Sequence, residues 1–213
     1  MRRHFITVWC YMRLLHLLAG ALVILGVGEA SAEGDADRGQ PLTALCQACH
    51  GPDGNSPAAA FPNIAGQNVQ YLLKQMHDIK SNVRSAPLMT GMLAAFNDQQ
   101  LEDIAAYFSK QNANLGNADP ALVELGESIY RSGIKRKQIA ACSSCHSPTG
   151  SGNGPAVFPA LGGQWPEYTE AQLKAFRAGE RTNDGDSRMM QMTSFDLSDP
   201  EIAAVASYLY GLH

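Results

Sequence analysis

Apolar residues recur at helical spacing in two segments, residues 98–108 and 199–209, that close the two halves of the chain. Each segment places four of them at positions i, i+3, i+4 and i+7: Leu101, Ile104, Ala105 and Phe108, then Ile202, Val205, Ala206 and Leu209. This period lines one face of an amphipathic helix. An aspartate begins each segment, and Pro200 directly follows Asp199. We therefore expect Asp98 and Asp199 to cap these helices.

Similar patterns predict a middle helix and an opening helix in each half. The middle helices follow Tyr71 and Tyr168, and the second opening helix starts at Asp119-Pro120. The first opening helix starts near Asp35, and Pro41 should delay or kink it. Neither half contains a segment that alternates in the manner of a strand, so the predicted fold class is all-α.

The two halves repeat each other. Residues 61–67 (Phe-Pro-Asn-Ile-Ala-Gly-Gln) recur as residues 158–164 (Phe-Pro-Ala-Leu-Gly-Gly-Gln), and Gln75 recurs as Gln172. A polar stretch from Gln111 to Asp119 separates them. We therefore predict two tandem domains, residues 33–112 and 120–213, joined by a linker at residues 113–119.

The first 32 residues are predicted to be a cleaved signal peptide. Three arginines, at positions 2, 3 and 13, accompany an apolar run from Leu14 to Val27, and Ala30-Ser31-Ala32 forms a small-residue cleavage site. An uncleaved membrane anchor is the alternative, although this run is short for a bilayer span of ~20 residues. Removal of a signal peptide predicts a periplasmic protein.

Composition narrows the range of partners. Of the 213 residues, 45% are hydrophobic and 17% are charged, as in an ordinary globular protein. The formal net charge is −4. Nucleic-acid binding needs a basic face, so the charge argues against a nucleic-acid partner.

Two pentapeptides carry the candidate chemistry: Cys46-Gln47-Ala48-Cys49-His50 and Cys142-Ser143-Ser144-Cys145-His146. The C-x-x-C-H spacing is typical of covalent haem c attachment. Cysteines three apart share one helical turn, so both sulfurs reach one edge of a haem and the histidine can ligate its iron. A redox dithiol is the alternative for one copy. Two copies in matching contexts favour two haem c groups.

Each iron needs a second axial ligand unless the site stays open. Six methionines are candidates: Met76, Met89, Met92, Met189, Met190 and Met192. Met89 and Met190 stand nine residues before Asp98 and Asp199, and they alone match a methionine in the other half. We therefore predict that they ligate iron, with core packing as the alternative. His77 is the rival ligand in the first half.

Ligation by histidine and methionine has chemical consequences. Both axial positions are filled, which favours electron transfer over reactions with dioxygen or peroxide. The carbonyls of Pro62 and Pro159 are candidates to accept from the Nδ1–H of the two histidines and to fix their rings. The alternative is that both are ordinary loop prolines.

Taken together, these motifs resemble the cytochrome c4 family of exported cytochromes with two class-I-like haem domains. The resemblance covers residues 33–213 and rests on both C-x-x-C-H motifs and on residues 61–67, 71–75, 89–93 and 181–186. It implies the axial pairs His50/Met89 and His146/Met190. It also implies two domains related by a pseudo-twofold axis, with haem propionates near their interface. One departure, Met190-Gln191-Met192, leaves a second methionine beside the predicted ligand.

The same resemblance implies a function. Members of the family carry electrons in respiratory chains, resemble donors to terminal oxidases and are often loosely associated with membranes. The implied partners are a respiratory donor complex and a terminal oxidase. Two alternatives remain at this point: the cytochrome subunit of a dehydrogenase of the flavocytochrome type, and a dihaem peroxidase. The basic run Lys135-Arg136-Lys137 is either a docking site for an acidic partner or a solvated loop.

Overall fold

The computed structural model describes residues 34–213, and within them the regular structure is helical. The α-helices are α1 (Ala36–Gly39), α2 (Ala44–His50), α3 (Val69–Lys80), α4 (Asp98–Ser109), α5 (Val123–Ser132), α6 (Ser143–His146), α7 (Pro166–Ala178), α8 (Met189–Ser194) and α9 (Asp199–Tyr210). Short 3₁₀ turns occupy Gln40–Leu42, Pro87–Met89 and Lys135–Lys137. Only two isolated β-bridges occur in this part of the chain, which confirms the all-α prediction. The predicted signal peptide lies outside the described residues.

The closing helices begin where reciprocal side-chain bonds cap them. Asn97 Oδ1 accepts from the Gln100 amide at 2.9 Å, and Gln100 Oε1 accepts from the Asn97 amide at 3.0 Å. Ser198 and Glu201 form the corresponding capping box at α9. The prediction of Asp98 and Asp199 as caps was therefore wrong by one residue. Both aspartates lie in the first turn, where a negative charge interacts favourably with the helix dipole.

The opening helices differ between the halves. In the first half, α1 ends at Gly39, and the 3₁₀ turn that contains Pro41 separates it from α2, as the predicted kink requires. In the second half, α5 begins at Val123, four residues later than predicted. Asp119 Oδ1 accepts from the Ala121 amide at 2.9 Å, so the aspartate stabilises a turn that precedes the helix.

Each half packs its opening and middle helices against its closing helix. The first core contains Leu72 of α3 and Ile104 and Phe108 of α4. The second contains Ile129 of α5 and Val205 of α9. Among residues 34–213, no helix combines the length and the apolar character needed to cross a bilayer.

Glycine permits the close crossing of opening and closing helices in both halves. A Cβ on Gly39 would lie 2.0 Å from the Asp103 carbonyl oxygen, and a Cβ on Gly126 would lie 2.3 Å from the Ala204 carbonyl oxygen. Real Cβ atoms do not approach a carbonyl so closely, so any larger residue would push the helices apart.

In each half, a buried carboxylate of the closing helix pairs with basic side chains that precede the C-x-x-C-H motif of that half. Arg38 donates to both oxygens of Asp103, at 2.8 and 3.0 Å, and holds the pKa of Asp103 at about 2. In the second half, Glu201 pairs with Lys137 and with Arg136. Two residues of the basic run therefore anchor α9 rather than standing free.

The chain between the halves is bonded at both ends. Asn55 in the first half donates to the Asn112 carbonyl at 2.9 Å and accepts from the Asn114 amide at 2.8 Å. Further on, the Gly116 amide donates to the carbonyl of Tyr210 in α9 at 2.9 Å. The connecting segment is thus attached to the first half at its start and to the second half at its end.

We expect Gly126→Ala to lower the free energy of unfolding by about 2 kcal/mol, because the new methyl group overpacks the crossing of α5 with α9. Urea denaturation of the holoprotein measures this change. Gly154→Ala is the matched control, since its Cβ would meet no atom closer than 3.5 Å. Equal stability of the two variants would contradict the crossing argument.

We also expect Glu201→Gln to destabilise the protein in a pH-dependent manner. Burial raises the pKa of Glu201, but bonds from Lys137 and Ser198 outweigh it and hold the pKa at about 2, below the ordinary value of 4.5. The ionised carboxylate therefore stabilises the fold fully above pH 4.5, and this contribution is lost as the pH falls toward 2.

Urea midpoints at several pH values test this expectation. The wild-type advantage over Glu201→Gln should be about 2 kcal/mol at pH 6 and should shrink below pH 4.5. Glu127→Gln removes a surface pair with Arg131 and should change stability by less than about 0.5 kcal/mol at every pH. A pH-independent loss in Glu201→Gln would show that its charge is not the cause.

Candidate functional site

A cavity of about 930 Å³ extends through residues of both halves, and most of its surface is apolar. Every residue that the sequence predicted to attach a haem, to ligate its iron or to fix a ligating histidine lines it: Cys46, Cys49, His50, Pro62, Met89, Cys142, Cys145, His146, Pro159 and Met190. The fold therefore brings the two motifs and the two predicted methionines to one continuous space.

The two motif histidines are buried and oriented in the same way. His50 ends α2 and His146 ends α6, with 7% and 6% of their surface exposed. Burial lowers the pKa of both imidazoles, so the rings are neutral near pH 7. The Nδ1 of His50 lies 2.9 Å from the Pro62 carbonyl, and that of His146 lies 2.9 Å from the Pro159 carbonyl.

This contact determines which ring nitrogen is available. A carbonyl oxygen only accepts, so Nδ1 carries the proton in both rings. The Nε2 of each histidine therefore keeps its lone pair, which is the form that binds a metal. The preceding phenylalanines pack against the same rings, with centroid distances of 6.4 Å for Phe61 and 6.1 Å for Phe158.

No disulfide joins the four motif cysteines in the described part of the chain, so each sulfur is available for a thioether bond. Burial raises the pKa of Cys46, and it raises that of Cys142 to about 11. In each motif the cysteines stand about one helical turn apart, and both of them line the cavity.

The methionines divide into those at the cavity and one outside it. Met89 ends the 3₁₀ turn Pro87–Met89, and Met190 lies in the first turn of α8. Met192 is 72% exposed and does not line the cavity. Three further methionines do line it: Met76, Met92 and Met189. Met192 therefore lies outside the cavity, and the choice among the other methionines rests on the repeat.

The rival ligand His77 lies elsewhere. Its Nδ1 is 3.8 Å from Asp98 Oδ1, and its side chain is not part of the cavity surface. Of the four histidines within residues 34–213, only the two motif histidines line the cavity.

Two arginines that sequence reasoning did not identify as site residues cross between the halves. Arg181 donates to Tyr71 at 3.1 Å and to Gln75 at 3.0 Å, both in the first half. Arg84 donates to Tyr168 in the second half at 2.8 Å. The two arginines stand 97 residues apart, the same spacing as the two tyrosines, and this was the signal that could have revealed them.

These arginines alter the pKa of a buried phenol. Burial raises the pKa of Tyr71, but the charges of Arg181 and Arg84 outweigh it, and the pKa lies below its ordinary value. Two positive charges are therefore concentrated at the junction of the halves, beside the cavity.

The residues present fit a large apolar cofactor with acidic groups. The side chains bonded to Arg84 and Arg181 are all neutral, and they are Tyr71, Gln75, Tyr168, Gln172 and Asn183. The Nε of Arg84 is buried without a hydrogen-bond partner in the described part of the chain. Buried cations of this kind favour an anionic ligand. A haem offers an apolar ring and two carboxylates.

Comparison with known proteins agrees with this fit. The cytochrome c family model matches the chain twice, at residues 36–112 and 124–213. A cytochrome c4 from Pseudomonas aeruginosa is 52% identical over 198 residues, which cover 92% of this chain and 98% of that protein.

A solved structure and a second type of relative extend the comparison. The crystal structure of reduced recombinant cytochrome c4 from Pseudomonas stutzeri matches with a TM-score of 0.83 and 51% identity, over 84% of this chain and all of that chain. A thiosulfate dehydrogenase electron acceptor from Stutzerimonas stutzeri is 36% identical, over 90% of this chain and 92% of that protein.

Proposed function

The chain belongs to the cytochrome c4 family, and from this membership we propose that it carries electrons in the periplasm from a respiratory donor complex to a terminal oxidase. It is a dihaem electron-transfer protein, not an enzyme, and it binds two covalently attached haem c groups with iron. The cellular compartment, the donor and the oxidase are the parts that we propose.

We further propose how the residues divide the work of holding the haems. Cys46 and Cys49 attach one haem, and Cys142 and Cys145 attach the other. The axial pairs are His50 with Met89 and His146 with Met190. The observation that carries this assignment is the pair of buried histidines whose Nδ1 protons are bonded to proline carbonyls, because Nε2 is then the only free ring nitrogen.

The haem supplies a one-electron exchange between ferrous and ferric iron when it is bound. The protein residues keep that exchange free of side reactions. Ligation by His50 with Met89 and by His146 with Met190 would leave neither iron a position for dioxygen or peroxide, and the apolar cavity would limit access of water. The guanidinium groups of Arg84 and Arg181, which line the cavity, would provide positive charge for the haem carboxylates.

The proposed periplasmic location rests on the first 32 residues. The basic, apolar and small-residue regions of residues 1–32 follow the order of a secretory signal. Peripheral attachment to a membrane surface is a further part of the proposal, and it comes from the family resemblance.

A second candidate function has specific support. The relative at 36% identity is described as the electron acceptor of a thiosulfate dehydrogenase. On that basis the chain would accept electrons from a dehydrogenase rather than from a respiratory complex. Reduction rates of the purified protein with a thiosulfate dehydrogenase and with respiratory membranes distinguish the two, because only the true donor reduces it rapidly.

We expect Met89→Ala and Met190→Ala each to remove about half of the far-red band that marks methionine bonded to ferric haem. Absorption spectra of the oxidised holoprotein, together with a haem count of two, provide the measurement. Met192→Ala is the matched control and should leave the band intact, because Met192 lies outside the cavity. A full band in either of the first two variants would refute that ligand.

We also expect the reduced wild-type protein not to bind carbon monoxide at neutral pH, because both iron positions are filled. Met190→Ala should open one position and bind carbon monoxide at about half of the haems. Absorption difference spectra record the binding. Ready binding to the wild-type protein would instead favour the dihaem peroxidase alternative.

A further inference from the structure

Two buried glutamines reach across the junction and bond to the backbone of the opposite half. Gln164, in the second half, accepts from the Asn63 amide and donates to the Asn63 carbonyl, both at 2.9 Å. Gln67, in the first half, accepts from the Ala160 amide at 2.7 Å and donates to the Ala160 carbonyl at 2.9 Å. Only 7% of Gln67 and 9% of Gln164 is exposed.

The peptide group that each glutamine contacts is the same one that holds a motif histidine. The N–H of Asn63 and the C=O of Pro62 belong to a single peptide unit. Its N–H donates to Gln164 and its C=O accepts from His50 Nδ1. One rigid plane therefore connects a histidine of the first half to a glutamine of the second.

The second half contains the equivalent arrangement of histidine, peptide unit and glutamine. The N–H of Ala160 donates to Gln67, and the C=O of Pro159 in the same peptide unit accepts from His146 Nδ1. Each histidine thus ends a short chain of hydrogen bonds that begins on the other side of the junction.

Each glutamine is held in place by its own half. The Oε1 of Gln67 also accepts from the Asn68 amide at 2.9 Å, and the Oε1 of Gln164 accepts from the Trp165 amide at 3.1 Å. These amides stand immediately before α3 and α7. The acceptor oxygen is therefore oriented by the start of a helix, and its position follows the rest of its half.

Hydrogen bonds in such a chain strengthen one another. An amide whose N–H donates becomes more polar, and its carbonyl oxygen becomes a better acceptor. A better acceptor draws the Nδ1 proton of the histidine more strongly and makes Nε2 a more basic ligand. A more basic ligand stabilises ferric iron relative to ferrous iron and lowers the reduction potential.

We propose that Gln67 and Gln164 are positioning residues that lower the reduction potential of the haem in the opposite half. Gln164 acts on the haem of His50, and Gln67 acts on the haem of His146. The proposal rests on the proposed ligation of iron by these two histidines. Through the glutamines, the packing of the two halves against each other affects the reduction potentials of both haems.

The test is the potential of each haem in Gln164→Met and Gln67→Met. Methionine preserves the side-chain length but cannot accept strongly from the peptide N–H. We expect the reduction equilibrium constant of the haem in the opposite half to rise about threefold, which corresponds to about 30 mV for a one-electron couple. The haem in the substituted half should keep its potential.

Redox titration followed by NMR separates the two haems, because each half gives its own axial-methionine signal. These signals are assigned from their loss in Met89→Ala and Met190→Ala. Asn68→Leu is the matched control, since Asn68 also donates across the junction, to the Phe158 carbonyl at 2.9 Å, without touching either histidine-bound peptide. It should shift neither potential.

Glutamate at the same positions provides a second test that retains the acceptor oxygen. In Gln164→Glu and Gln67→Glu, the potential of the opposite haem should not rise. The proposal is overturned if the methionine variants shift the haem of their own half, shift both haems equally or shift neither. It is also overturned if Asn68→Leu has the same effect or if the glutamate variants raise the opposite potential.

Failure of this proposal is distinguishable from failure of the ligand assignment. An unaltered far-red band in Met89→Ala or Met190→Ala would reject the ligands themselves. A second outcome would reject only the proposed action of the glutamines. In that outcome, the far-red band is halved in Met89→Ala and Met190→Ala, but neither Gln164→Met nor Gln67→Met changes a reduction potential.

Discussion

The hydrogen bond from a buried histidine to a proline carbonyl is the interaction on which the rest of the site depends. Burial makes both imidazoles neutral, but burial alone does not decide which nitrogen keeps its proton. The carbonyls of Pro62 and Pro159 make that choice, since they can only accept. The two histidines end helices of different length, so the shared geometry comes from the loops that follow them rather than from the helices.

Sequence predicted those features that lie within one short segment or that recur in both halves. The C-x-x-C-H motifs identified cysteines and histidines that the fold brings to one cavity, and the helical period identified α4 and α9. Helix starts were less accurate because a cap depends on a reciprocal pair, such as Asn97 with Gln100. The ligand choice at Met89 and Met190 stays a prediction.

Contacts between the halves could not be predicted in the same way. Arg84 and Arg181 stand at matching positions, but the tyrosines to which they donate belong to the opposite half, and no local pattern predicts those contacts. The basic run at residues 135–137 could not be interpreted from the repeat for a different reason. Lys137 anchors Glu201, whereas Arg38 anchors Asp103 in the first half, and these residues come from segments that do not align between the repeats. Equivalent stabilising interactions need not occupy equivalent positions in a repeat.

The bonded segment between the halves affects how the two haem domains meet. Asn55 holds its start on the first half, and the Tyr210 carbonyl holds its end on the second. Two modules on a flexible tether meet at an effective concentration that depends on the length of the tether. Here the bonds at both ends of the segment hold the two halves together, so their contact does not depend on diffusion of one half toward the other. A chain that keeps two haem c groups in one compact unit can hold two electrons at once.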